Sequence, residues 1–148
     1  MQIRLATDKD LPSIIAMIQD DVLGKDRESN EAVALYERAF QAIEQSSNSF
    51  LYVAEINNDV VAVAQLDVLP CLSHRGTTRG QIENVRVSKA IRGQGLGSEF
   101  IKALEKEAIH RGCQVLQLTS NLQRDQAIAF YLRLGFENTH AGLKKWLK

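Results

Sequence analysis

The stretch NVRVSKAIRGQGLGSEFIKALEKEAIHRG, residues 84–112, sets three glycines at alternate positions, Gly93, Gly95 and Gly97, between a β-like run and an amphipathic one. The second run predicts a helix with Leu96, Phe100, Ile101, Leu104 and Ala108 on one face, ended by Gly112. A helix N-terminus presents amides without intrahelical partners and a partial positive charge, which suits an anion. Glycines there remove Cβ atoms from the approach and permit turns that aim successive amides inward. Arg92 adds a full charge. One glycine would serve a tight strand-to-helix turn; three in five residues, after an arginine, describe a cradle for a pyrophosphate.

The ligand class narrows by exclusion. The Walker pattern GxxxxGK[ST] is absent. The dinucleotide fingerprint GxGxxG fails at Ser98, and no acidic residue closes the later strand VLQL to hold a ribose hydroxyl. What stands is Arg92-x-x-Gly95-x-Gly97.

Outward from the cradle, periodicity places the other elements. QIRLA reads as a strand, and Thr7, Asp8 and Asp10 then supply acceptors for a helix start that tolerates Pro12. Ile14, Ile15, Met17 and Ile18 form its buried stripe. DDVLGKDRESN, residues 20–30, reads as a charged loop. Val33, Tyr36, Phe40 and Ile43 mark a second helix. FLYVAEI, NND and VVAVAQLDVL make an antiparallel hairpin with a tight polar turn. PCLSHRGTTRG, residues 70–80, is an irregular connection into the strand QIENVRV. After the cradle and its helix come the short strand VLQL, a helix over about residues 125–134 ended by Gly135, and a closing strand GLKKWL. The helix between QIENVRV and VLQL implies a right-handed parallel crossover. The fold class is a mixed α/β single domain over residues 1–148, with a mostly antiparallel sheet, one parallel pair and helices on both faces.

Bulk properties fit such a domain. Hydrophobic residues make up 45 % and charged residues 24 %, ordinary for a globular chain. Lys plus Arg and Asp plus Glu are both 18, and this balance argues against a dedicated nucleic-acid binder. No run approaches the ~20 apolar residues of a membrane span, and the first residues lack a signal-peptide layout. A cytoplasmic protein is expected. Cys71 and Cys113 read as reduced, buried thiols. With His74, His110 and His140 scattered, no metal site is expected.

Arg92 through Gly97 looks like the R/Q-x-x-G-x-G/A signature of the GCN5-related N-acetyltransferase (GNAT) superfamily. ENVRV is similar to the strand before that loop, and AFYLRLGF to the late helix-to-strand signature. The element order matches along essentially the whole chain. Within the superfamily, QIENVRV, LTSNLQRDQAIAFYLRLGF and the H-x-G-L-K ending resemble a group of small bacterial enzymes.

The resemblance implies acetyl-CoA as co-substrate, no metal, and attack of an amine on the thioester without a covalent enzyme intermediate. It places the pantetheine arm along Val85, Arg86 and Val87, and the pyrophosphate over Arg92, Gly93, Gln94, Gly95, Leu96, Gly97 and Ser98. Asn121 matches a position that contacts pantetheine, and Arg124 lies near the adenosine-phosphate end. Tyr131 matches the tyrosine that returns a proton to the thiolate. QIENVRV and VLQL should splay apart, since the family inserts its cofactor between them.

Glu83 reads as the base, with a substrate-binding group or a solvated edge residue as the alternatives. It shares strand parity with Val85 and Val87, unless a bulge changes its facing. Acceptor specificity is expected from the loop at 20–30 and from SHRGTTR, where Arg75 and Arg79 read either as recognising an acidic group on the acceptor or as solvated surface arginines. The acceptor is expected to be a primary amine of a small molecule, with a protein amine as the alternative, a homodimer admissible and no nucleic acid or membrane partner. The rival class is an acyl-CoA sensor without turnover, in which Tyr131 and Glu83 would be dispensable.

Overall fold

A computed structural model describes residues 1–20 and 33–147 of the chain. Five strands form one sheet in chain order: β1 (Gln2–Leu5), β2 (Ser49–Ile56), β3 (Asp59–Pro70), β4 (Thr78–Val87) and β5 (Val115–Leu118). The first three pairings are antiparallel and β4–β5 is parallel. Helices α1 (Leu11–Gln19) and α2 (Val33–Glu44) precede β2; α3 (Leu96–His110) makes the β4–β5 crossover, and α4 (Asp125–Arg133) follows β5. The expected loop at 20–30 lies outside the described residues beyond Asp20.

Strand alternation sorts the side chains into two cores. Tyr52, Ala54, Ala62, Ala64, Leu66 and Ile82 face α3, meeting Phe100, Ile101, Leu104 and Ala108. Val53 and Val63 face the other way, onto Ile14 of α1. This burial is the main stabilising term, and it accounts for helices on both faces. The hairpin turns at Asn57 and Asn58, both at positive φ (52° and 68°), which asparagine tolerates.

Two polar ties hold the layers together. Arg4 grips Asp10 with two hydrogen bonds of 2.7 and 2.9 Å and reaches Glu55 through Nε at 2.9 Å, joining β1, β2 and the start of α1. Asp10 also accepts from the Thr7 amide at 2.7 Å, which is the helix-start chemistry the sequence predicted. On the opposite face, buried Tyr52 donates to Glu107 at 2.9 Å and accepts from Arg111 at 2.9 Å; the Arg111 guanidinium lies 3.4 Å from the centroid of the Phe50 ring.

Three expectations need correction. Residues 141–147 form no strand, and Leu143, Trp146 and Leu147 are 93 %, 84 % and 86 % exposed. The run Leu-Lys-Lys-Trp-Leu lacks the alternation that gives a strand one apolar face. Next, β4 begins at Thr78, so the irregular connection is shorter than the composition suggested; a turn over Ser73–Gly76 holds His74 and Arg75 at positive φ. Finally, both cysteines are free, but only Cys113 is buried.

Arg4 holds the Asp10 carboxyl down to about 2, against its own desolvation. A depressed carboxylate contributes stability that is complete above its unfolded pKa, about 3.9, and fades as pH falls through the folded value. Asp10→Asn should therefore cost about 2 kcal/mol near neutral pH, with the gap to the parent closing between about pH 4 and pH 2. Urea unfolding across that range checks it; a gap independent of pH sinks the ion-pair account.

Candidate active site

The site is organised by one extra residue. Gln65 pairs with Glu83 and Val63 with Arg86, so two steps along β3 match three along β4. The surplus is a β-bulge at Asn84, which sits at φ 54° and is exposed. Before it, Ile82 pairs with Leu66 on the α3 face; after it, Val87 pairs with Ala62 on that same face. Val85 and Val87 thus pack toward α3, while Glu83 and Arg86 fall on the α1/α2 face. The even parity of Glu83 with Val85 and Val87 is overturned by the bulge.

The bulge coincides with the end of strand pairing. β4 and β5 pair from Arg79–Val115 to Ile82–Leu118 and no further, although β4 runs on to Val87. Residues 83–87 therefore present an unladdered edge, the splay expected from the sequence. The Ser88 amide donates to Val61 at 2.8 Å, and alternation then turns the N–H and C=O of Val87 toward the open edge. The carbonyls of Val85 and Val87 are already engaged, by Arg86 Nη1 at 2.8 Å and Arg92 Nε at 3.0 Å.

At the end of this edge stands the glycine loop. A short 3-10 turn over Lys89–Ile91 leads to Arg92, then Gly93 at φ 78° and Gly95 at φ 82°, the residue before α3. The Gly95 carbonyl takes the Ser98 and Glu99 amides at 2.9 and 3.2 Å. Among the described residues, the amides of Gly93 through Gly97 donate to no backbone carbonyl. Positive φ, rather than crowding, requires Gly93 and Gly95, since nothing lies within 4 Å of a Cβ built on either. Gly97 is different: its Cβ would meet Phe130 at 3.7 Å and Val87 at 3.8 Å, ordinary contacts. Free amides, open space and a helix N-terminus fit a diphosphate.

The remaining residues assemble unevenly. Tyr131 packs edge-on to Phe130 and Phe136, with ring centroids 5.1 and 5.6 Å away. Burial pushes its phenol up, and the charges of Arg86 and Arg124 partly oppose this, so it stays protonated at neutral pH. It is thus a core side chain that carries a protonated phenol within reach of the charge of Arg86 on β4. Glu83 accepts from Gln81 at 2.9 Å, and Gln81 in turn accepts from Gln117 of β5 at 2.7 Å. Asn121 turns its Oδ1 inward to the Gln123 amide at 2.9 Å, and its carbonyl takes the Arg124 amide. Arg79 lies in β4 and reaches Cys71 Sγ at 3.3 Å, while Arg75 is exposed in the turn; the structure does not bring these two arginines together at the β4 edge.

Sequence reading missed a hollow on the other face of β4. On the α1/α2 face, a hollow of about 260 Å³ is lined by apolar residues of α1, α2, β2 and β3 together with Tyr36, Gln65, Asn84 and Arg86. One signal was available: an asparagine inside a strand pattern, a residue poor in strands and tolerant of left-handed backbone, points to a bulge. No group of three His, Cys, Asp or Glu able to hold a metal occurs among the described residues. Nor is any helix there long and apolar enough to cross a membrane.

Comparison with known proteins agrees with this geometry. The family described as acetyltransferase (GNAT) family matches residues 15–136. An aminoalkylphosphonate N-acetyltransferase of Salmonella typhimurium is 30 % identical over 146 residues, 99 % of this chain and 91 % of that protein. N-alpha-acetyltransferase 30 of Schizosaccharomyces pombe is 39 % identical over 64 residues, 43 % of each chain. A crystal structure of a transcriptional regulator from Bacillus halodurans C-125 superposes with a TM-score of 0.94, at 40 % identity and 99 % coverage of both chains. Glucosamine-6-phosphate N-acetyltransferase from Arabidopsis thaliana shares the fold, with a TM-score of 0.80 at 20 % identity and coverage of 99 % and 98 %. The chain belongs to the GNAT family of acetyltransferases.

The glycines give a clean stability contrast. Gly93→Ala and Gly95→Ala should each destabilise the protein by about 1–2 kcal/mol, because L-residues are strained at that φ. Gly97→Ala should lie within about 0.5 kcal/mol of the parent. Urea midpoints compare the three, and equal losses would contradict the conformational assignment.

Proposed function

We propose that the chain is an acetyl-CoA-dependent N-acetyltransferase, acting as one domain, alone or as a homodimer, on a primary amine of a small molecule. The observation that carries this is the unladdered edge of β4 running into free amides at a helix N-terminus. An extended thiol-terminated arm adds to such an edge as a strand would, and its diphosphate meets the amides of residues 93–98. Val85, Arg86 and Val87 line the arm; Arg92, held by the Val87 carbonyl, brings positive charge to the loop. Bound there, acetyl-CoA supplies an activated acyl group as a thioester.

This chain's residues then divide the proton traffic. The amine must be unprotonated to attack, and Glu83 takes its proton directly or through water. A new N–C bond forms as the C–S bond breaks, and the Tyr131 phenol returns a proton to the departing thiolate. Main-chain amides at the bulged edge offer donors to the carbonyl oxygen. Direct transfer is favoured over a cysteine route. Cys113 is buried, and its thiol is pushed up by that burial; Cys71 meets Ser73 and Arg79, neither of which is a base. Asn121 and Arg124 flank the arm from the α4 side.

The small-molecule acceptor draws on the aminoalkylphosphonate enzyme, whose match spans nearly the whole chain. The N-alpha-acetyltransferase match covers 43 % and says less about the acceptor. The Bacillus halodurans protein is described as a transcriptional regulator; the second reading for this chain is acyl-CoA sensing without turnover.

Calorimetry with acetyl-CoA and CoA tests the cradle, and thiol release with an amine panel separates the two readings, because a sensor gives none. Tyr131→Phe should lower kcat about 10²-fold while leaving the acetyl-CoA Kd nearly unchanged. Glu83→Gln should lower kcat/KM by about 10²-fold near neutral pH and recover toward high pH, where the amine deprotonates unaided. A loss that does not depend on pH would remove Glu83 from the base role.

A further inference from the structure

The hydrogen bonds that reach Glu83 form a directed chain across two strands. Gln81 pairs with Gln117 of β5 in the ladder, and Glu83 stands two residues further along β4 on the same face. Gln117 Nε2 donates to Gln81 Oε1 at 2.7 Å, and Gln81 Nε2 donates to Glu83 Oε1 at 2.9 Å. Chemistry fixes this direction. A carboxylate only accepts, so Gln81 must turn its NH2 to Glu83; its carbonyl then faces β5, where Gln117 must answer with an NH2. All three side chains are half-buried.

The neighbouring donor is engaged elsewhere. Gln65 lies directly across from Glu83, yet its amide donates to both oxygens of Asp67, at 2.9 and 3.0 Å. Among the described residues no other hydrogen bond or ion pair reaches Glu83. Oε1 is therefore held by Gln81, and Oε2 is left for a proton. The root of the chain is rigid. Gln81 is laddered on both sides, to Asp67 of β3 and Gln117 of β5, one pair before the ladder ends at Ile82–Leu118. Glu83 adjoins the bulge at Asn84 and has left that double ladder. One amide thus ties a carboxylate beside irregular backbone to the regular sheet.

We infer that Gln81 is a positioning residue for acyl transfer: rooted by Gln117, it holds Glu83 through Oε1 and leaves Oε2 to take the proton of the acceptor ammonium and pass it to solvent. This rests on the acetyltransferase reading above, with Glu83 as its base. A hydrogen bond to a charged acceptor is about twice as strong as one between neutral groups. Without it the Glu83 side chain regains its torsional freedom, and a base free to turn meets the amine in fewer of its orientations.

Initial rates of CoA release from about pH 6 to about pH 10 test this, with 2-phenylethylamine, glycine, spermidine and 2-aminoethylphosphonate as acceptors. Gln81→Met keeps the length and removes the donor. It should lower kcat/KM about tenfold near neutral pH while the acetyl-CoA Kd, from calorimetry, stays put. The deficit should shrink toward high pH, where the amine deprotonates unaided; a general loss of fold would not do this. Gln117→Met leaves Gln81 in place but unrooted and should lose about threefold. In a Glu83→Gln background, Gln81→Met should cost less than about twofold more. Gln65→Met should stay within about twofold of the parent. NMR reads the tie without turnover: in the parent, the Gln81 and Gln117 side-chain amide signals should move together with the Glu83 carboxyl carbon as pH is changed, and in Gln81→Met the Gln117 signal should cease to follow.

A Gln81→Met protein as fast as the parent overturns the inference, as does a deficit that ignores pH or persists in full beside Glu83→Gln. An equal deficit in Gln65→Met, or amide signals that ignore the Glu83 titration, overturns it too. Each of these leaves the acetyltransferase reading standing. A parent that binds acetyl-CoA and releases CoA with none of the amines defeats that reading, and the positioning role falls with it.

Discussion

An antiparallel ladder leaves no room for surplus backbone, so the extra residue at Asn84 has to bulge, and the two ends of β4 then obey opposite parities. Up to Ile82 the strand is an ordinary ladder member, bonded on both sides. Beyond the bulge it has β3 on one side and open space on the other. The edge that suits an extended cofactor and the inverted facing of Glu83 and Arg86 have this one origin. If β4 ran straight, Arg86 would share the α3 face with Ile82 and Leu66, and the hollow on the other face would lose its guanidinium.

The glycine loop is the complementary constraint. Gly93 and Gly95 take backbone angles closed to most residues, and among the described residues the amides of 93–97 donate to none of the protein's own backbone carbonyls. Arg92 is tied back to the Val87 carbonyl, which links loop and edge into one unit. Phe130 and Val87 both stand beside Gly97, each within 4 Å of where a Cβ would lie, and Tyr131 packs edge-on to Phe130.

Much of this was legible beforehand, for identifiable reasons. The amphipathic period of Phe100, Leu104 and Ala108, the Asn57–Asn58 turn and the parallel crossover all follow from local chemistry, and all formed. The glycine turn into α3 was readable because glycine spacing encodes backbone geometry directly. What escaped was whatever depends on the register between strands. Counting from Glu83 to Val87 by twos is sound only in a straight strand, and one left-handed asparagine inverted the result. The closing strand failed on similar grounds: its apolar residues suggested burial, but paired lysines deny it a single face. The hollow combines side chains from five separate elements, a coincidence of tertiary structure that no local window holds.

Helix α3 carries the cradle at its first turn and is gripped at its last, where Arg111 binds the Tyr52 hydroxyl and lies over the Phe50 ring. Fifteen residues at about 1.5 Å each make it a beam of roughly 22 Å. Tilting that beam by about 5° would swing the loop end by about 2 Å, several times the half-ångström tolerance of a working constellation. A lysine at position 111 would preserve the charge while surrendering the flat plate that locks the beam's root. The aim of the glycine loop, and of the diphosphate grip proposed for it, is thus set in part by the guanidinium–aromatic contact at the helix's other end.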